Sequence, residues 1–125
     1  MESNKTVLIV EDENSLRRAV SKKFEYSEVS TRVASSVKEA LEILNNENDV
    51  RAVWLDHYLG EGETGIDLLK QIRVKENLKE LPVFVVTNTA DNDKKKEYMD
   101  LNIENFFIKA DSPIDDIVKE VKEKM

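Results

Sequence analysis

Side chains able to bind a metal ion and a phosphate stand directly after four short apolar runs of the chain. They are Glu11, Asp12, Asp56, Thr87 and Lys109. Three carboxylates packed together would repel one another unless a cation joined them. Oxygen ligands in a chain with one histidine and no cysteine favour Mg²⁺, which takes one or two carboxylates together with water and phosphate oxygens. These residue types therefore predict a magnesium and phosphate site, provided that the fold brings them together.

The same residues could carry out phosphoryl transfer. Lys109 offers a point charge for one phosphoryl oxygen, and Thr87 can donate a hydrogen bond to another. Beside a metal ion and a lysine, the Asp56 carboxylate could attack phosphorus and form an acyl phosphate. Catalysis would then rest on positioning and charge neutralisation.

Five short runs predict the strands that would position these residues. Four of them are continuously apolar, which is typical of strands buried on both faces: 7–10, 52–55, 83–86 and 106–108. The remaining run, 29–33, alternates apolar and polar residues and predicts a half-exposed strand at the sheet edge.

Apolar residues at helical spacing predict helices between and after the strands. The inward positions of four helices are Leu16, Ala19, Val20 and Phe24; Val37, Ala40, Leu41 and Leu44; Ile66, Leu69 and Ile72; and Ile114, Ile117, Val118 and Val121. A capping box of Ser36 and Glu39 would start the second helix, and Ser112 followed by Pro113 would start the fifth. The fourth helix, within 91–101, is almost wholly polar, so it is either a solvated face or an element that shifts at low energetic cost.

Strands alternating with helices predict a mostly parallel sheet covered by helices on both faces. Right-handed crossovers and an edge-like second strand favour a doubly wound (βα)5, flavodoxin-like sheet with the strand order 2-1-3-4-5. The length of 125 residues suits one domain over residues 1–125, with no output domain expected. In such sheets ligands bind beyond the carboxyl ends of the strands, which is where the five candidate residues stand.

The composition excludes several kinds of protein. With 26 acidic and 19 basic residues the net charge is −7, which argues against a basic nucleic-acid-binding surface. The lack of cysteine excludes disulfides, thiolate nucleophiles and cysteine-ligated zinc. No apolar run approaches the ~18 residues of a membrane span, and the polar first residues are unlike a signal peptide. A cytoplasmic protein without a membrane or nucleic-acid partner is expected.

The order of these residues along the chain resembles the receiver domain of two-component response regulators. The matching pattern covers essentially the whole chain and consists of Glu11 with Asp12, Asp56, Thr87 and Lys109, each after its strand. The resemblance implies that a histidine kinase or histidine phosphotransfer protein phosphorylates Asp56 in a Mg²⁺-dependent reaction. The domain would assist only its own phosphorylation and dephosphorylation, and its altered surface would bind a downstream protein partner.

Further site positions follow from the resemblance. Mg²⁺ would be held by Asp12, by Asp56, by the backbone carbonyl of Tyr58 and, through a water, by Glu11. Thr87 would move toward the phosphoryl group, Phe106 would repack into the vacated space, and the fourth helix, fifth strand and fifth helix would present a changed surface. The resemblance leaves the oligomeric state open and allows a homodimer through these three elements.

Four departures from the family pattern bear on this expectation. Ala110 stands where the family usually has a proline, often after a cis bond, so a trans bond and an altered loop become an option here. Asn88 replaces a smaller residue and would narrow access to the phosphoryl group, and Phe106 lacks a tyrosine hydroxyl and would switch by ring packing alone. The loop after Asp56, residues 57–65, looks one residue longer than usual.

Alternative functions remain open. A Mg²⁺-dependent phosphatase would also use an aspartate nucleophile, but phosphatases of the haloacid dehalogenase type carry a second aspartate two residues later, where Tyr58 stands. A phosphorelay intermediate, which passes its phosphate to another histidine, is equally compatible with the pattern, and a degenerate receiver is a further alternative.

Three other motifs are better explained without a function. Gly60-x-Gly62-x-x-Gly65 spells a dinucleotide fingerprint, but four residues separate it from Asp56's strand and its acidic residues would repel a pyrophosphate. We therefore interpret these residues as turn glycines. His57 is interpreted as a loop residue near the site, since a lone histidine carries no mechanism by itself. The three lysines at 94–96 are interpreted as solvated surface.

Overall fold

The computed structural model describes residues 5–88 and 91–125. Over these residues, strands and α-helices alternate along the chain. The strands are β1 (Thr6–Val10), β2 (Ser30–Ala34), β3 (Val50–Leu55), β4 (Val83–Thr87) and β5 (Asn105–Ile108). The helices are α1 (Asn14–Tyr26), α2 (Val37–Asn46), α3 (Gly65–Arg73), α4 (Asn92–Met99) and α5 (Ile114–Lys124), with a 3₁₀ turn at Gly60–Gly62. No helix in this described part of the chain has the length and apolar character needed to cross a bilayer.

Neighbouring strands of the sheet run parallel, in the order β2-β1-β3-β4-β5. This order confirms the predicted doubly wound (βα)5, flavodoxin-like fold. The ends of β1 and β3 are level, because Val10 pairs with Leu55. The ends of β4 and β5 are also level with each other, because Thr87 pairs with Ile108, but they lie two residues further along, since Leu55 pairs with Val85. The residues that follow these strands therefore emerge at the same edge of the sheet.

Helices cover both faces of the sheet. Alternate residues of a strand point to opposite faces, so continuously apolar strands make both faces apolar, and both must be covered. Leu8 and Val10 lie in a core shared with α2 and α3, whereas Val7 and Ile9 lie in a core shared with α1 and α5. Residues on both faces of β1 and β4 are buried throughout, which explains why these strands are continuously apolar in sequence.

The second strand lies at the sheet edge, as predicted, but it is more exposed than its alternating pattern suggests. β2 covers residues 30–34 rather than 29–33, and Val33 is 45% exposed. Val29, just before the strand, is buried instead. An edge strand has a neighbour on one side only, so fewer side chains are available to cover it.

Two predicted details of helices are wrong. Ala19 is exposed although Val20 is buried, because one residue turns an α-helix by about 100° and the buried stripe of α1 runs through residues four apart. Helix α5 begins at Ile114 with Pro113 in the cap position instead of Ser112, because Pro113 has an extended ψ of 148°.

The capping box predicted at the start of α2 is half formed. Ser36 Oγ accepts a hydrogen bond from the Glu39 amide at 3.2 Å, as predicted. The Glu39 carboxylate accepts from the amide of Ser35 at 2.7 Å rather than from that of Ser36. The long glutamate side chain thus reaches one residue further back than the motif predicts.

Helix α4 has the polar character predicted for it. Asp91 caps its first turn, where Oδ1 accepts from the amides of Asp93 at 2.8 Å and Lys94 at 3.2 Å. Tyr98 is the one buried side chain of this helix, and the neighbouring Met99 is 50% exposed. The helix therefore depends on Tyr98 for its hold on the core.

Candidate metal and phosphate site

Three carboxylates meet at the carboxyl edge of the sheet. Glu11 and Asp12 follow β1, Asp56 follows β3, and each offers an oxygen within 4.8 Å of the others. The amide of Asp56 donates to the carbonyl of Val10 at 3.0 Å, which holds the end of β3 against β1. Glu11 and Asp56 are buried, whereas Asp12 is exposed. The structure thus brings together the three acids that the sequence places after these strands.

Lys109 reaches two of these carboxylates from the end of β5. Its Nζ lies 3.1 Å from Oε1 of Glu11 and 3.4 Å from Oδ2 of Asp56. Its amide donates to the carbonyl of Thr87 at 2.8 Å, so β4 sets the point at which the lysine leaves the sheet. The ammonium offsets part of the repulsion between the two buried acids.

The electrostatics of the pocket favour a further cation. The pKa of Glu11 is raised to about 7, chiefly by burial and then by the charge of Asp56, while Lys109 acts to lower it. Burial and the neighbouring carboxylate of Asp56 both disfavour the ionised form of Glu11, and a cation bound beside the two acids would oppose both effects. The three carboxylates of this pocket are the hard oxygen ligands that Mg²⁺ takes. The residues present therefore fit this ion.

The loop after β3, which contains the predicted backbone ligand, is closed by a short bridge. Tyr58 and Thr64 form an isolated antiparallel bridge. The two hydrogen bonds of this bridge are accepted by the carbonyls of His57 and Glu63, so they do not use the carbonyl of Tyr58. The Tyr58 side chain is 56% exposed. The role of the Tyr58 carbonyl as a metal ligand stays a prediction.

The carboxylate of Asp56 is held at both oxygens. Oδ1 accepts from the His57 amide at 2.7 Å, and Oδ2 faces the ammonium of Lys109 at 3.4 Å. Thr87 is fully buried at the end of β4, in register with Ile108. An anchored carboxylate beside an ammonium, with a hydroxyl on the next strand, is suited to phosphoryl transfer.

The first of the two phenylalanines of β5 points inward in this structure. Phe106 is 8% exposed, and its ring centroid lies 5.8 Å from that of Tyr98. Lys95 and Lys96 are exposed, as predicted for solvated lysines, whereas Lys94 is half-buried. Nζ of Lys95 lies 6.0 Å from the Phe106 ring centroid. This distance is at the outer limit of a cation–π contact.

His57 is more deeply placed than the sequence predicts. It lies beside the site, as expected, but it is 3% exposed and its Nδ1 is 2.7 Å from Oη of Tyr98. Burial lowers the pKa of His57 and raises that of Tyr98, which keeps the ring neutral and the hydroxyl protonated. No spacing or motif in the sequence indicates this pair, because its members are 41 residues apart.

Two of the three glycines have a local structural role, but only Gly62 has it as a turn residue, since Gly65 is the first residue of α3. Gly62 has a φ of +76° in the 3₁₀ turn, a conformation that glycine adopts without strain. A Cβ atom at Gly65 would lie 2.5 Å from Oη of Tyr98 and 2.7 Å from the carbonyl oxygen of Asp56. Glycine is therefore required at 65 by close packing.

Two of the expected departures can be located. The described residues contain no cis peptide bond, so the bond between Lys109 and Ala110 is trans. A turn follows, closed by a hydrogen bond of 2.9 Å from the Asp111 amide to the Ile108 carbonyl. Asn88 is exposed directly after β4. Its predicted effect on access to a phosphoryl group stays a prediction.

Comparison with known sequences identifies relatives of this chain. The family model described as response regulator receiver domain matches residues 7–122. The two-component response regulator ORR3 of Oryza sativa subsp. indica is 30% identical over 109 residues, which are 87% of this chain and 82% of that protein. The two-component response regulator ORR5 of Oryza sativa subsp. japonica is 29% identical over 109 residues, covering 87% of this chain and 81% of that protein.

Solved structures share the fold over almost the whole chain. A response regulator receiver protein from Pseudomonas putida superposes with a TM-score of 0.88 at 23% identity, covering 95% of this chain and 96% of that one. The receiver domain of the Francisella response regulator 1452 superposes with a TM-score of 0.83 at 27% identity, covering 95% and 94%.

Proposed function

Since the chain belongs to the response regulator receiver family, we propose that it receives a phosphoryl group on Asp56 and passes on a signal through its changed surface. Receiver domains are signalling modules rather than catalysts. The observation that carries the assignment is the meeting of the Asp56 carboxylate with Lys109 at 3.4 Å and with the two acids after β1 within 4.8 Å.

The donor in this proposal is a phosphohistidine of a histidine kinase or of a histidine phosphotransfer protein. An oxygen of the Asp56 carboxylate forms a bond to phosphorus while the phosphorus–nitrogen bond breaks. The imidazole leaves with the electron pair of that bond and takes up a proton. The product is an acyl phosphate on Asp56, so no oxidant or further reactant is needed.

Four groups of the chain would hold Mg²⁺ in this reaction: the carboxylates of Asp12 and Asp56, the backbone carbonyl of Tyr58 and, through a water, the carboxylate of Glu11. When bound, Mg²⁺ would neutralise charge on the phosphoryl oxygens. Lys109 would bind one of these oxygens with its ammonium, and Thr87 would donate a hydrogen bond to another.

The output of the proposed switch is a change of surface. Phosphorylation would draw Thr87 toward Asp56, and Phe106 would repack beside it. The affected elements are α4, β5 and α5, which would bind a downstream protein or a second copy of the chain. A role as a phosphorelay intermediate would use the same acceptor and differ only in where the phosphoryl group goes next.

Labelling with a small phosphodonor tests the acceptor. With Mg²⁺ and acetyl phosphate, the intact mass of the protein should increase by one phosphoryl group. Asp56→Asn should abolish this increase because the amide is not a nucleophile, whereas Asp116→Asn, which removes an exposed carboxylate of α5, should leave it unchanged.

Labelling of Asp56→Asn at the wild-type level would refute the acceptor assignment. Repeated turnover of varied phosphate monoesters by the wild-type protein would instead identify an aspartate-nucleophile phosphatase.

A further inference from the structure

A buried hydrogen bond joins the loop that follows the acceptor to the helix of the proposed output surface. His57 is the residue after Asp56, and its Nδ1 lies 2.7 Å from Oη of Tyr98 in α4. The two side chains are 3% and 0% exposed. A bond shielded from water in this way is costly to leave unmade, because each polar group would remain buried without its partner.

Tyr98 contacts both the loop that follows the acceptor and the proposed switch residue of β5. Its ring centroid lies 5.7 Å from that of His57 and 5.8 Å from that of Phe106, so it stands between the acceptor loop and the proposed switch aromatic. It is also the one side chain through which α4 is buried in the core. The position of α4 therefore depends on what this tyrosine contacts.

The fold provides a close-fitting site for the tyrosine hydroxyl. Gly65, at the start of α3, leaves the space that Oη occupies, since a Cβ atom there would approach it to 2.5 Å. The same Cβ atom would meet the carbonyl oxygen of Asp56 at 2.7 Å. The tyrosine hydroxyl and the backbone carbonyl of the acceptor thus border the same small space beside Gly65, and the hydroxyl also contacts the ring of His57.

The acceptor carboxylate and this hydrogen bond share one residue. The amide of His57 donates to Oδ1 of Asp56 at 2.7 Å, while its ring pairs with Tyr98. A phosphoryl group on Asp56 would change the charge and the hydrogen-bond acceptors that this amide faces. Any resulting displacement of His57 is transmitted to Tyr98, because the rings are in contact.

We propose that His57 and Tyr98 are positioning residues whose hydrogen bond holds α4 against the acceptor loop and opposes the phosphorylated arrangement. The proposal rests on the function proposed above. Removing the bond should shift the equilibrium toward the phosphorylated arrangement by about two- to tenfold, the range expected for one buried hydrogen bond.

Tyr98→Phe is the first test, because it removes the hydroxyl and keeps the ring. The affinity for beryllium fluoride in the presence of Mg²⁺ should increase by about two- to tenfold, since less of the binding free energy would be spent on breaking the bond. Amide hydrogen exchange should become faster in residues 57–65 of the ligand-free protein. Tyr26→Phe removes the hydroxyl of a tyrosine that is 88% exposed, and it should change neither quantity.

Two substitutions of His57 test the other partner of the hydrogen bond, and the residues that they introduce, leucine and asparagine, have nearly the same size and shape. His57→Leu removes the polar atom at the Nδ1 position, whereas His57→Asn retains one there. His57→Leu should raise the affinity for beryllium fluoride and speed hydrogen exchange in α4, and His57→Asn should restore both toward the wild-type values. A double variant, His57→Leu with Tyr98→Phe, should show no more change than Tyr98→Phe alone, because the tyrosine variant already removes this bond, together with the contact of the hydroxyl with the Ile66 amide.

Wild-type affinity in Tyr98→Phe together with unchanged exchange in residues 57–65 would overturn the proposal. Additive effects in the double variant, or equal effects of His57→Leu and His57→Asn, would overturn it as well. If the wild-type protein fails to bind beryllium fluoride, the proposed function fails, but exchange in the ligand-free variants still decides whether the bond links loop and helix.

Discussion

At the scale of single residues, Lys109 has two opposing effects on the pocket. Its ammonium lies 3.1 Å from Glu11 and 3.4 Å from Asp56. It therefore reduces the repulsion between these two buried carboxylates when no other cation is bound. The same charge competes with any metal ion for the two carboxylates. In the proposed mechanism, the ammonium stabilises the phosphorylated state by binding a phosphoryl oxygen.

Lys109→Ala should therefore separate metal binding from switching. We expect Mg²⁺ to bind at least as tightly as in the wild type, since the competing ammonium is gone, while beryllium fluoride no longer changes the NMR spectrum of α4, β5 and α5. Lys119→Ala, at an exposed position of α5, is the matched control and should respond like the wild type. A full spectral response in Lys109→Ala would remove the lysine from the proposed mechanism.

Glu11 should make the stability of the metal-free protein depend on pH. Its pKa is raised from 4.5 to about 7, so between these values the folded state holds a proton that the unfolded state has released. Stability should accordingly fall as the pH rises through this window, by about 3 kcal/mol at most. Urea unfolding followed by Trp54 fluorescence measures this slope, and Glu11→Gln should reduce it.

Mg²⁺ should reverse the loss of folding stability that occurs as the pH rises. Because the ion competes with the proton on Glu11, its affinity should rise with pH up to about 7 and then level off. The same pH dependence of Mg²⁺ affinity in Glu11→Gln would contradict the assignment of the titrating group.

The residues of the site differ in how well sequence predicts them. Glu11, Asp12 and Asp56 follow continuous apolar strands, so their meeting needs only the parallel topology. The His57–Tyr98 bond is different, because it depends on how α4 lies against the sheet and on the space left by a glycine in α3. Neither dependence leaves a periodic or spaced pattern in the chain.

At the scale of elements, one arginine joins the segments at the amino ends of the strands, opposite to the carboxyl edge where the site lies. Arg73, at the end of α3, donates from Nε to the carbonyl of Leu101 at 2.9 Å and from Nη2 to that of Asn102 at 3.0 Å. Its Nη1 donates to the carbonyl of Leu81 at 2.9 Å. The side chain thus joins the segment before β4 to the segment before β5.

Arg73→Lys should destabilise the fold even though it keeps the charge. A lysine cannot reproduce the planar fork that reaches four carbonyls, that of Leu78 at 3.3 Å included, so we expect the free energy of unfolding to fall by about 1–3 kcal/mol in urea titrations. Arg18→Lys, on the exposed side of α1, should change it by less than about 0.5 kcal/mol. Equal effects of the two substitutions would show that the loops do not need the fork.

Element types are easier to predict than element ends. The five apolar or alternating runs correspond to five strands over the described residues, but β1, β2 and β5 begin one residue away from the predicted positions and β3 begins two residues earlier. Helix α5 also begins one residue later than predicted. Ends depend on local backbone geometry, such as the extended ψ of Pro113, and several residues near an end can serve as the cap. For α4, both interpretations drawn from its polar sequence remain compatible with a helix buried through Tyr98 alone.

At the scale of the whole molecule, the strand order explains why the site forms. β1 and β3 are neighbours at the centre of the sheet, and β4 and β5 follow on one side. The parallel strands deliver acids from the central pair, and a hydroxyl and an ammonium from the outer pair, whose ends lie two residues further along, to one edge. This arrangement was predictable because buried parallel strands leave a strong apolar pattern and few permitted crossovers.

The central claim is that this edge holds a divalent metal ion and a phosphoryl group together. A crystal structure with Mg²⁺ and beryllium fluoride tests it most directly. We expect beryllium bonded to a carboxylate oxygen of Asp56, Mg²⁺ in contact with Asp12, Asp56 and the Tyr58 carbonyl, and the Lys109 ammonium moved onto a fluoride. A structure in which beryllium fluoride leaves Asp56 unmodified, or in which Mg²⁺ binds away from Asp12 and Asp56, would contradict the account.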